Sequence, residues 1–117
     1  MANTICHFEF VSSDPAKSRE FYGKIFNWTF NADAMPGYTM VDTGGMPGAG
    51  IMAKPGEAPI GLNVYIEVDS IEETTGKIRA AGGKVLFDKT PIPNVGHWAM
   101  FTDPDGICVG IFEGLKK

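Results

Sequence analysis

The chain writes one pattern twice, and that repeat limits its fold more than any other feature. From Thr4, "TICHFEFV" alternates Ile5, His7 and Glu9 with Cys6, Phe8 and Phe10, the period of a strand that turns one face to a core. Asp14-Pro15 then supplies a helix cap and a first helical residue. In "PAKSREFYGKIFNW" the residues Ser18, Phe21, Tyr22, Ile25 and Phe26 fall at helical spacing, a stripe that predicts a helix lying on a sheet and ending near Phe26 to Trp28. Three short strands follow in "NWTFNAD", "YTMVDT" and "AGIMAK". The Gly/Pro-rich stretch 54–61, "KPGEAPIG", links the halves, and the order restarts with the strand "LNVYIEVD". The helix "SIEETTGKIRAAGG" has Ser70 and Glu73 in capping-box spacing and closes at Gly82-Gly83; the strands "KVLFDK", "HWAMFTD" and "ICVGIFE" complete the second copy. Gly76, in mid-helix, is about 1 kcal/mol worse than alanine there and predicts a close approach to the sheet or a local irregularity.

The expectation is an α+β fold of two βαβββ repeats in a single domain over residues 1–117, with pseudo-repeats 1–56 and 60–115. Composition agrees: 44% hydrophobic and 21% charged residues describe a soluble globular chain rather than a disordered one. A net charge of −4, with no Lys/Arg run beyond the last two residues, argues against nucleic acid as a partner. No apolar run is long enough to span a membrane and no signal peptide opens the chain, so a cytoplasmic location is expected. Cys6 and Cys108 lie far apart in apolar strands, without zinc or redox spacing, and read as buried free thiols. "DPDG" lacks calcium-loop spacing and reads as a tight turn, and "GGMPGAG" lacks the Lys and Ser/Thr of a phosphate loop.

Superposing the halves on their helix starts sets His7 near Asn63 and Glu9 near Tyr65. Superposing the last strands on Gly48 and Gly106 sets Met52 against Gly110. At these residues the sequence resembles a known family. The segments "HFEFVSSDPAKSREFYGKIFNW", "VDSIEETTGKIRAAGGKV" and "FTDPDGICVGIFE", on two βαβββ units, resemble the vicinal oxygen chelate superfamily, also called the glyoxalase/bleomycin resistance/dioxygenase family, over nearly the whole chain. The resemblance implies an open, cup-shaped eight-stranded sheet, completed in a homodimer. In metal-dependent members, ligands on four cup-facing strands hold a divalent ion that chelates two adjacent substrate oxygens. His7 matches the first ligand position. Met52, Asn63 and Gly110 stand where Glu, then His or Gln, then Glu are expected. One ligand does not make a site, since a catalytic metal normally needs three protein donors. The expectation is therefore no cofactor, with a divalent metal on His7 as the alternative.

Each candidate has a plain alternative. His7 is a metal ligand, a pocket contact, or a strand histidine bonded to a neighbour. Glu9, on the same face, is a candidate catalytic base, or is paired with His7 or a surface lysine. Asn63 and Tyr65 share a face and can meet a ligand there, although Tyr65 could equally fill space. Trp98 is a flat wall for an aromatic ligand, or a core or dimer contact; Met52 is an adaptable lining, or strand packing. Three functions follow: a small molecule bound in the cup without the complete metal set; a metal-dependent lyase, isomerase or dioxygenase acting on a vicinal-oxygen substrate through His7 and Glu9, or through a differently aligned Glu67 or Glu113; and a noncatalytic interaction module.

Overall fold

The structure is a computed structural model and describes residues 3–35 and 37–115. The elements run β1 (Ile5–Ser12), α1 (Pro15–Ile25), β2 (Thr29–Met35), β3 (Tyr38–Asp42), β4 (Gly48–Ala53), β5 (Gly61–Glu67), α2 (Ile71–Ala80), β6 (Lys84–Ile92), β7 (Gly96–Thr102) and β8 (Cys108–Gly114). This is βαβββ written twice, the α+β class that the repeat predicts. Neither helix is long and apolar enough to cross a membrane.

The contacts gather into two compact units, His7–Asn63 and the chain from Val64 onward together with the first residues through Cys6. In the His7–Asn63 unit the strand order is β2-β3-β4-β1, with β1 and β4 parallel and the other neighbours antiparallel. A parallel pair needs a crossover, and α1 with the β2-β3 hairpin supplies it. The core is on the Phe side of β1. Val41, Ala49 and Ile51 are buried there, with Phe8, Phe10, Trp28 and Phe30 packed against them. Asp14 caps α1, accepting from the Lys17 amide at 3.3 Å.

The expected stripe on α1 is only half used. Tyr22 packs on Phe10 and Trp28 with ring centroids 4.9 and 5.7 Å away, while Phe21, Ile25 and Phe26 are exposed and no residue of the helix is buried. Helical spacing fixes which residues share a face; whether that face meets the sheet depends on how the helix is rolled, which spacing does not encode.

The other unit orders its strands β5-β8-β7-β6, again with one parallel pair, β5 and β8. Asn3, Thr4 and Cys6 bond β5 here: Thr4 O accepts from the Glu67 amide at 2.8 Å, and the Cys6 thiol donates to Tyr65 O at 3.6 Å. Val68, Ile71, Ala99 and Ile111 form the core, with Ile66, Ile78 and Phe101 against it. Ser70 caps α2 by accepting from the Glu73 amide at 3.2 Å, and Gly82, at φ +95°, ends it in the left-handed conformation open to glycine. Around Gly76 there is open space, so the close approach expected of it does not occur. β6 runs past the expected "KVLFDK" to Ile92 and carries Pro91, which is tolerated because β6 is the last strand in this unit's order. Asp103 Oδ1 accepts from the amides of Asp105 and Ile107, both at 2.9 Å, so "DPDG" is the expected tight turn.

Candidate functional site

The polar centre of the His7–Asn63 unit lies on the face of β1 opposite its phenylalanines. His7 pairs with Gly48 across the parallel ladder and Glu9 with Gly50; on the far side of β4, Tyr38 pairs with Met52 and Met40 with Gly50. The β4 residues facing His7 and Glu9 thus have no side chain, and the Tyr38 ring occupies the space. A Cβ at Gly50 would collide with the ring and hydroxyl of Tyr38. Glycine at 50 is what lets a tyrosine on β3 reach across β4 to β1.

The tyrosine hydroxyl joins the two β1 side chains. His7 Nε2 and Tyr38 Oη are 2.6 Å apart, and Tyr38 is also hydrogen-bonded to Glu9. An ionised carboxylate only accepts, so Tyr38 donates to Glu9 and its oxygen accepts from His7 Nε2–H. The result is a directed chain, His7 to Tyr38 to Glu9. Its electrostatics follow from burial: Glu9 is only 4% exposed. Loss of solvent, and then the Glu9 charge and hydrogen bond, push the Tyr38 phenol far above its ordinary value, so it keeps its proton. Burial pushes the His7 imidazole below 6.5, toward the neutral ring. The partner found for Glu9 is a tyrosine that the sequence analysis did not single out.

The remaining candidates fall as follows. Met52 is half-buried on the same face as His7 and Glu9, opposite Val11. Asn63, buried, ends this unit. In the other unit Tyr65 is buried opposite Gly110, and its ring covers that glycine so closely that a Cβ there would overlap it. Trp98 stands beside Phe112 in the ladder and packs on Phe87 at 5.5 Å, next to the fully buried Met100. The observed caps, Asp14 and Ser70, match His7 with Asn63 and Glu9 with Tyr65. The ladder partners of Glu9 and Tyr65 are Gly50 and Gly110, so Gly50, not Met52, is the repeat's counterpart of Gly110. Glu113 lies on the α2 side of β8: its carboxylate accepts from the Ile71 amide at 2.8 Å and pairs with Lys89 at 3.4 Å, which anchors the start of the helix. Burial, with help from the Glu67 charge, pushes the Cys6 thiol up, against reactivity.

The donor set around His7 does not fit a hard divalent ion. Its Nε2 is engaged by Tyr38, Gly48 and Gly50 offer no side-chain donor, and the Met52 thioether suits soft ions. Among the described residues, no three His, Cys, Asp or Glu side chains come together to hold a metal.

Comparison with known proteins agrees with this architecture. The family model "Glyoxalase/Bleomycin resistance protein/Dioxygenase superfamily" matches residues 4–111. CFP32 of Mycobacterium bovis, named as a candidate glyoxylase, is 30% identical over 113 residues, covering 90% of this chain and 43% of its own length. The anthracycline biosynthesis protein DnrV of Streptomyces peucetius is 27% identical over 132 residues, covering 93% of this chain and 48% of its own. The chain thus spans about half the length of the curated relatives it matches. Among solved structures, a hypothetical protein of Bacillus halodurans superposes with a TM-score of 0.68 at 16% identity, covering 100% of this chain and 98% of that one, a likeness of fold. With the family model spanning both βαβββ repeats, the chain belongs to the glyoxalase/bleomycin resistance/dioxygenase superfamily.

Proposed function

We propose that the chain is a small-molecule-binding member of this superfamily, cytoplasmic, which holds its ligand against the His7 face without the complete divalent-metal set. The observation that carries this reading is the His7–Tyr38–Glu9 chain. It holds the His7 imidazole neutral with its proton on Nε2, which makes the other ring nitrogen an acceptor suited to a hydroxyl-bearing molecule, with Met52 on the same face as an apolar contact. Two relatives are named for glyoxylase and anthracycline biosynthesis, which supports oxygenated small molecules as the class to try first. Asn63, Tyr65, Trp98 and Gly110 remain proposed ligand contacts, as in the sequence reading.

The second reading, a metal-dependent lyase, isomerase or dioxygenase, is favoured by one observation: Glu9 is a buried carboxylate joined to a proton donor, the setting of a general base. Calorimetric titration separates the two. Metal-stripped protein and His7→Ala would be titrated with Ni, Zn, Mn and Fe(II), then with catechol, a thiohemiacetal and an anthracycline. The binding reading expects no metal uptake and at least one organic probe whose affinity falls tenfold or more in His7→Ala. Stoichiometric metal binding lost in His7→Ala would replace it with the enzyme reading, and indifference of the wild type to all three probes would count against it.

A further inference from the structure

Two side chains of β1 converge on the hydroxyl of Tyr38. Its oxygen lies 2.6 Å from His7 Nε2 and is hydrogen-bonded to the Glu9 carboxylate. An imidazole nitrogen and a carboxylate oxygen brought to one point are two of the donor types that hold zinc, nickel or iron. Here that point is held by a phenol. The ring reaches it from β3 by crossing Gly50, where a Cβ would overlap the ring and the hydroxyl. Neither β4 residue beside this point, Gly48 opposite His7 or Gly50 opposite Glu9, has a side chain to add as a third donor. The other unit repeats part of the arrangement: at Gly110, the repeat's counterpart of Gly50, a Cβ would overlap the ring of Tyr65. In each βαβββ repeat a tyrosine ring thus covers a glycine of the last strand.

We propose that Tyr38 is a built-in substitute for a metal ion, the residue that makes this a site recognising its ligand by hydrogen bonds instead of by chelation. This role rests on the proposed function, a His7 face that works without a metal. A cation between His7 and Glu9 would hold both side chains in place, and the hydroxyl does so without charge, accepting from the imidazole and donating to the carboxylate. It also fills the space that an ion and its open coordination position need, with Tyr38 half-buried and Glu9 buried. One residue then decides the class of site. Histidine is shorter than tyrosine by about the length of a zinc–nitrogen bond, ~2 Å, so Nε2 of a histidine at 38 is set to coordinate an ion standing where the phenol oxygen stands. Together with His7 and Glu9 it would make two imidazoles and a carboxylate, the three-donor set of a catalytic zinc centre.

Cobalt(II) titration followed by visible absorption tests this, because cobalt takes zinc's geometry in such sites and absorbs strongly when four-coordinate. The wild type is expected to leave the spectrum of free Co(II) unchanged. Tyr38→His is expected to take up about one ion per chain with the bands of a four-coordinate centre. Those bands should be lost in Tyr38→His/His7→Ala and in Tyr38→His/Glu9→Ala. A tyrosine that only packed would change stability on replacement and leave metal uptake untouched. If Tyr38→His does not fold, Tyr38→Ala with imidazole in the buffer, which supplies the third nitrogen from solution, must show the same bands and the same losses. Uptake by the wild type that is lost in His7→Ala overturns the inference and the metal-free reading with it. No uptake by Tyr38→His and none by Tyr38→Ala with imidazole, or uptake indifferent to His7→Ala, overturns the inference alone and leaves that reading in place.

Discussion

Tyr38 and Gly50 depend on each other, and the unit around His7 depends on both. Tyr38→Phe removes the hydroxyl between a buried carboxylate and a half-buried imidazole, taking one hydrogen-bond partner from each of Glu9 and His7. Loss of a buried hydrogen-bond partner is typically worth about 1–3 kcal/mol, and urea unfolding should show a destabilisation of that size. Gly50→Ala should cost about 1–3 kcal/mol through collision with the Tyr38 ring, and the double variant Gly50→Ala/Tyr38→Ala should be less damaged than the sum of its singles, since the collision is gone. His7 adds a pH signature. Its folded pKa lies below the unfolded value of 6.5, so the unfolded chain takes up a proton that the folded one refuses. Stability is full above about pH 6.5 and declines as pH falls from there toward the lowered folded pKa. His7→Gln should flatten that part of a stability-against-pH curve. The residue types at 7 and 9 were open to reading as site candidates, because strand alternation puts them on one face. Tyr38 was not, since its reach to β1 depends on β3 pairing with β4 and on β4 having glycine where the ring crosses.

At the scale of elements, the two helices are held in different ways. α2 is locked at its start by Ser70 and, from a distant strand, by Glu113, which accepts from the Ile71 amide and meets Lys89. Ser70→Ala should lower stability by about 1 kcal/mol. Glu113→Ala should lower it more than Glu113→Gln, because glutamine keeps an oxygen for the Ile71 amide. Gly76→Ala should raise stability by about 1 kcal/mol, since the open space around Gly76 leaves only the helix propensity gain; paired thermal melts of these four variants would rank them. The caps were legible because a side-chain oxygen three residues before an amide is a local relation. The Glu113 anchor spans 42 residues, and nothing local to either end announces it.

At the scale of the whole molecule, two βαβββ units follow one another along one chain. What the sequence by itself determined is the repeat: which segments are strands and helices, where the caps sit, and that βαβββ occurs twice, because periodicity and capping are relations between near neighbours. The superfamily followed from the same segments. What only the tertiary structure decided is how α1 is rolled, leaving Phe21, Ile25 and Phe26 outside; the register that matches Gly50 rather than Met52 with Gly110; the diversion of Glu113 to the helix; and the meeting of Tyr38 with His7 and Glu9. Each of these is a contact between residues far apart in the chain, set by which strands pair and in what register, and a one-residue change of register would have turned the same side chains to the opposite face.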